Sequence, residues 1–166
     1  MEDVILQHSD MAALHPESLN TLRVVTVLNG EGPHIVYAYI RIGNGGRSVD
    51  NLHAGGMCAP IELETGKIKY PAYDKSRNTY YEHPRTGVRI PGFEIPFWEE
   101  TAELCLRAAK LVPQMRYVGW DVGVTENGPV FVEGNNLPGY DFLQMPPHVP
   151  NRVGMLPRFR EFVEGI

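Results

Sequence analysis

At 166 residues and 18.6 kDa the chain suits one domain with a substantial core rather than two very small ones. A hydrophobic content of 43% with 21% charged residues excludes a disordered polymer. A net charge of −5 argues against nucleic acid as a partner and against a polybasic membrane patch. No apolar run approaches the roughly 20 residues that span a bilayer. The start, MEDVILQHSD, is acidic with three adjacent apolar residues, unlike a secretory signal. Cys58 and Cys105 lie far apart with no metal or redox spacing, so a reducing, cytoplasmic setting is expected. The 17 glycines and 14 prolines predict many turns and shaped loops.

In chain order, Val4 to Gln7 reads as a short strand, and Ser9-Asp10 as the cap of a brief helix through Leu14, stopped before Pro16. Asn20 to Leu28 is a strand, Asn29 to Pro33 a turn, and Ile35 to Ile42 the returning strand of a hairpin. A glycine-dense loop follows from Gly43 to Gly56, and 57–95 holds short strands among Pro, Gly and Tyr. Pro96 opens the clearest helix, with Glu99 and Glu100 at its positive end and Lys110 at its negative end. Leu104, Ala108 and Leu111, with Thr101 and Cys105, form its apolar stripe. Tyr117 to Val124 and Val130 to Asn135 are two strands around Glu126-Asn127-Gly128, and Pro157 to Val163 a last short helix. Hairpins with inserted helices predict an α+β fold, mainly antiparallel.

The stretch YVGWDVGVTENGPVFVEGNN carries the most chemistry. A two-residue Asn-Gly loop would turn Asp121 and Glu133 to opposite faces. A three-residue loop, Glu126 to Gly128, pairs Val124 with Val130 and Val122 with Val132, giving an all-valine face, and sets Asp121 opposite Glu133. The valine pattern selects the second register. It brings two like charges within about 5 Å, with Asn135 two residues further on. Two carboxylates and an amide oxygen suit Mg²⁺; the plain alternative is a solvated polar face. On this reading the carboxylates repel, and Asp121→Asn relieves the repulsion.

Arg23, central to TLRVVTV, and Arg41, near the end of the partner strand, fit a site for anionic oxygens beside GNGGRSVDNLHAGG, although no Walker or GxGxxG pattern occurs. His8, His15, His34, His53, His83 and His148 show neither HExxH nor a close pair and read as surface or loop residues. Trp98 and Trp120 read as packing residues, and the tyrosines at 70, 73, 80 and 81 as loop packing.

These residues together resemble the C-terminal half of the ATP-grasp superfamily, most closely its sugar-transfer-associated group, with the ribosomal-protein glutamate ligases as a second comparison. The likeness runs through Arg23, Arg41, Asn51 to Gly56, the Ala108-Ala109-Lys110 helix, Asp121, Glu133, Asn135 and Pro138-Gly139. It implies that Asp121, Glu133 and Asn135 hold Mg²⁺ (or Mn²⁺) bridging ATP phosphates, and that Arg23, Arg41 and Asn51 serve the phosphate or acyl-phosphate side. Glu2, Val4 and Leu6 would belong to the adenine hinge, with Glu2 at the ribose. The implied chemistry activates a small-molecule carboxylate as an acyl phosphate for attack by an amine or other nucleophile. Where the glutamate ligases carry an arginine two places before the asparagine, this chain has Val49, and Arg47 is offset. The family's lid-bearing N-terminal part would precede Met1, making the chain a single partial domain completed by an upstream segment, a second copy or another chain, and a weak nucleotide binder alone. A non-catalytic binding module is the competing reading.

Overall fold

The computed structural model describes residues 4–45, 55–146, 148–149 and 151–166. Among them seven strands form one antiparallel sheet: β1 (Thr21–Asn29), β2 (Gly32–Ile42), β3 (Met57–Ile61), β4 (Ala72–Asp74), β5 (Thr79–Tyr80), β6 (Tyr117–Thr125) and β7 (Gly128–Asn136). Their spatial order is β5-β4-β3-β2-β1-β6-β7. The helices are α1 (Ser9–Leu14), α2 (Trp98–Leu111) and α3 (Leu156–Arg160), with a 3₁₀ turn at Phe142–Gln144. This is the expected α+β class. Val4 to Gln7 falls outside any strand; only the His8 amide bonds β6, at the Val124 carbonyl. α1 is capped by the His8 side chain, which accepts from the Asp10 amide, rather than by Ser9.

Period-2 alternation gives the sheet two different faces. One carries Leu22, Val24, Ala38, Ile40, Met57, Ala59, Val118, Trp120, Val122 and Val124, and forms the main core with α1 and α2. The buried stripe of α2 is Trp98, Thr101, Cys105 and Ala109, at helical spacing but rotated from the expected one; Leu111 is exposed. The 57–95 segment folds over the same side, burying Ile68, Ala72 and Ile90. The other face carries Val25, Val27, Tyr37, Tyr39 and Cys58, and the C-terminal segment covers part of it through Phe142, Phe159, Phe162 and Val163. The two cysteines therefore lie in opposite layers.

Two irregularities adjust the alternation. Between β1 and β2 the register shifts at Val25/Thr26, leaving Val36 as the extra residue. Between β6 and β7 the shift falls at Asp121/Val122, leaving Val132 extra. Such bulges place successive residues out of strict alternation.

Gly66 sits at φ 69°, and a Cβ there would come within 2.5 Å of the Trp98 ring, whose Nε1–H donates to the Leu63 carbonyl at 2.8 Å. Gly66→Ala combines left-handed strain with overpacking and is expected to cost about 2–5 kcal/mol in urea unfolding. Gly30→Ala, with nothing within 4 Å, serves as a control, and an equal cost at both positions would refute this packing argument.

Candidate functional site

β6 and β7 meet in an unexpected way. Pairing starts at Thr125↔Gly128, so the loop is the two residues Glu126-Asn127, with Gly128 at φ 110° opening β7. Neither loop considered from the sequence is correct. The all-valine face fails too: Val124 faces Pro129 and Val122 faces Phe131. Yet Asp121 does lie opposite Glu133, because the bulge at Val132 adds the residue that the shorter loop omits. The bulge also lets Phe131 reach the Trp120 ring, 5.2 Å between centroids, while Glu133 turns to the Asp121 side.

Strand pairing then assembles the charged residues. Across β7-β6-β1-β2 the row reads Glu133, Asp121, Arg23, Tyr39; the next row reads Gly123, Thr21, Arg41, Cys58. Directly opposed residues share a face, so both arginines and both carboxylates belong to one surface of the sheet. Asp121 is only 2% exposed and Arg23 9%. Arg23 grips Asp121 with both arms of the guanidinium fork, Nε to Oδ1 and Nη2 to Oδ2 at 2.9 Å. Arg41 reaches Oδ2 of the same carboxylate through Nη2 and donates from Nε to Thr21 Oγ1 at 2.9 Å.

The expectation of two repelling carboxylates is thereby corrected. Asp121 is a counter-ion to the buried Arg23 and to the half-buried Arg41 guanidinium. Burial pushes its carboxyl up, but the Arg23 hydrogen bonds and the Arg41 and Arg23 charges prevail and hold it below the usual carboxylate range. Burial pushes the Tyr39 phenol up to about 12 despite the same two arginines. Glu133 is exposed and Asn135 half-buried, and the Asn135 amide nitrogen donates to Glu133 Oε1 at 3.1 Å.

Space for the arginine comes from glycine. A Cβ at Gly119 would lie 2.7 Å from Pro138 Cβ and 3.0 Å from Arg23 Cδ, so only glycine lets the Arg23 stem and the turn at Pro138-Gly139 share that position. Tyr37 and Tyr117, hydroxyls 3.0 Å apart, hold the turn by donating to the Gly139 and Pro138 carbonyls. The alternation of Gly119, Asp121 and Gly123 in GWDVG was a readable signal for this role, as was the shared parity of Thr21 and Arg23. Tyr39 carried none, since only the β1–β2 bulge decides which residue of β2 faces Arg23.

Val4 and Leu6 are exposed and Ile5 packs against Gly123 on the same face; Glu2 and Asn51, with Arg47, Val49 and His53, lie outside the described residues. The histidine reading needs correction as well: His15, His83 and His148 are buried, and the His15 and His83 rings are 5.5 Å apart. Among the described residues no three His, Cys, Asp or Glu side chains converge as a metal site; the candidate oxygen set is two carboxylates and an amide.

The model of the sugar-transfer associated ATP-grasp family matches residues 1–163 of the chain. The chain belongs to that family. No curated protein matches it at a significant level. The seven-stranded antiparallel sheet with its helices is consistent with one half of an ATP-grasp domain. Among the described residues of this ATP-grasp chain, no helix is long and apolar enough to cross a membrane.

Because the buried Asp121 pairs with the buried Arg23 as well as with Arg41, Asp121→Asn is expected to destabilise the fold by about 3–5 kcal/mol rather than relieve it, read by chemical unfolding. Asp121 binds its proton less readily folded than unfolded, so its contribution is complete above about pH 4 and lost as pH falls through the lower folded value. A wild-type protein no more stable at pH 6 than at pH 3, relative to the variant, would contradict this assignment.

Proposed function

We propose that this chain is the metal- and phosphate-binding part of an ATP-grasp enzyme that activates a small-molecule carboxylate as an acyl phosphate and passes it to an amine or other nucleophile. The observation that carries the reading is the row Glu133, Asp121, Arg23 with Arg41 beside it: hard oxygen donors next to guanidinium donors on one sheet face. Glu133 and Asn135, on the accessible side of the row, would hold Mg²⁺ together with phosphate oxygens, both being donor types that Mg²⁺ prefers. Asp121, expected from the sequence as a third ligand, could join them only through an oxygen that already accepts from arginine. When bound, the metal supplies charge neutralisation across the phosphates.

In the first step an oxygen of the substrate carboxylate attacks the γ-phosphorus of ATP, the bond to the β-phosphate oxygen breaks, and ADP leaves. In the second the nucleophile adds to the acyl carbon, phosphate departs, and the nucleophile's proton goes to solvent. Such transfers need positioning and neutralisation more than covalent help. Arg23 and Arg41 would supply both: a guanidinium has five N–H donors in a rigid plane, and the Asp121 carboxylate fixes the plane of the Arg23 group. Carboxylate and nucleophile are the proposed small-molecule partners, ATP and Mg²⁺ (or Mn²⁺) the proposed cofactors.

A second reading is favoured by the engagement of both Asp121 oxygens by arginine. On that reading the chain binds nucleotide without turning it over, as a binding module.

Titration of Mg·ATP by NMR or calorimetry tests the first reading, which requires binding that disappears when EDTA is added. Glu133→Gln and Asn135→Ala should each weaken it about tenfold or more, the loss of one charge-assisted contact, with little change in stability because both side chains are accessible. Binding that is metal-independent, or indifferent to Glu133→Gln, would overturn the site assignment. ADP release with a panel of carboxylates and amines separates enzyme from binding module.

A further inference from the structure

At the start of the glycine-dense loop, Gly43, just past β2, packs against two buried histidines. Gly43 directs its amide to Asn20 Oδ1 at 3.2 Å and its carbonyl to His83 Nε2 at 2.8 Å. A Cβ on Gly43 would meet Ser18 Oγ at 2.3 Å and His15 Nδ1 at 2.6 Å, so the backbone lies directly on the His15–Ser18 pair, which is itself hydrogen-bonded at 3.0 Å. His15 is further fixed through its carbonyl, which accepts from Asn20 Nδ2 at 2.9 Å and Gln7 Nε2 at 3.0 Å. His15 and His83 are each 1% exposed.

The hydrogen bonds at His83 allow a single arrangement of its protons. Nδ1 faces the backbone amides of Arg85 and Thr86, both 3.3 Å away; amides only donate, so Nδ1 carries the lone pair. Nε2 faces a carbonyl, which only accepts, and so carries the hydrogen. A second proton on His83 would put an N–H against two N–H groups, and charge on both rings would set like charges 5.5 Å apart. The other charged groups facing the pair are Glu17, in the segment after α1, and Arg85, on the 57–95 segment; they are bound to each other through two contacts of 2.8 Å. Just before β1 and just after β2, Asn20 and Gly43 supply uncharged groups at this point.

We propose that His15 and His83 form a proton-sensitive latch: while both rings are neutral they hold Gly43, just past β2, and with it the strand position of Arg41. An added proton leaves the Nε2–H donor in place but sets charge against the neighbouring ring or an N–H against the Arg85 and Thr86 amides, and the displaced rings release Gly43. The latch assigns a role to the 57–95 segment, whose His83 ties that segment to the strand that carries Arg41. Burial and the neighbouring His83 depress proton binding at His15, which agrees with a His15 ring built to be neutral. A depressed histidine contributes stability above its unfolded value of about 6.5 and loses it as pH falls below that. Any effect on nucleotide chemistry rests on the function proposed above; the latch itself does not.

Ring ¹⁵N spectra and amide exchange of the whole chain, without nucleotide, test it. His83 should be the Nε2–H tautomer at pH 7.5. The Gly43 amide, after correction for intrinsic exchange, should lose protection severalfold between pH 7 and pH 5, while core amides such as those of Ile40 and Val122 hold theirs. His83→Gln keeps a donor for the Gly43 carbonyl but cannot take up a proton, so it should retain Gly43 protection at pH 7 and lose most of the pH dependence. If that variant does not fold, the wild-type tautomer and exchange profile decide alone. An Nδ1–H or charged His83 at pH 7.5, Gly43 protection that is flat or falls only with the core, or unchanged pH dependence in His83→Gln would each overturn the latch. Loss of Mg·ATP binding bears only on the function, since none of these readouts uses nucleotide.

Discussion

Two guanidinium groups and one carboxylate, almost without solvent, constrain everything around them. Removing charges from water costs several kcal/mol per ion, and the interior returns that only when partners meet in good geometry. Arg23 on β1, Arg41 on β2 and Asp121 on β6 therefore require three strands to be in register at once. A slip of one residue between β1 and β6 would turn Asp121 into the layer of Trp120 and Val122 and leave Arg23 against apolar side chains. The main core supplies the bulk of the burial, while the ion cluster discriminates among the registers that the core alone would tolerate.

The bulges and glycines near this cluster follow from that constraint. Regular alternation along β7 would put Phe131 and Glu133 on one face; the extra Val132 lets the first cover Trp120 and the second join the carboxylate row. On β6, Gly119 and Gly123 flank Asp121, leaving room for the Arg23 stem and Pro138 on one side and for Ile5 and Leu19 on the other. The turn after β7 is then pinned by Tyr37 and Tyr117. Each device moves a side chain onto or off the same face.

The two faces of the sheet also divide the labour. α2 and the 57–95 segment close the main core. On the opposite face the C-terminal aromatics cover Val25, Val27, Tyr37 and Tyr39, but Glu133 stays exposed at the far strand. Buried arginines thus grade into accessible oxygen donors across two strand spacings of about 5 Å each. In the function proposed above, that gradient would meet the charge of a phosphate-bearing ligand with fixed cations on one side and oxygen donors for a metal on the other.

Local pattern in the sequence determined the elements: alternation in TLRVVTVL and YVGWDVGV, the polar turn at Asn29 to Pro33, which the structure tightens because β2 already starts at Gly32, and the charge bias along α2, because each depends on neighbours a few residues apart. It also identified Arg23, Arg41, Asp121 and Glu133 as candidate residues, through their placement on strands. It misread what connects them. The β6–β7 loop was inferred one residue too long, and the error cancelled against a bulge that only packing against Trp120 produces. The like-charge pair became an ion cluster because β1, distant from β6 in the chain, inserts beside it. The histidines at 15 and 83, ordinary loop residues in a linear reading, meet only when the 57–95 segment folds back onto α1. Contacts between residues far apart in sequence depend on which strands become neighbours and which faces they present, and a linear pattern does not encode that choice; burial and charge neutralisation in the folded sheet decided it.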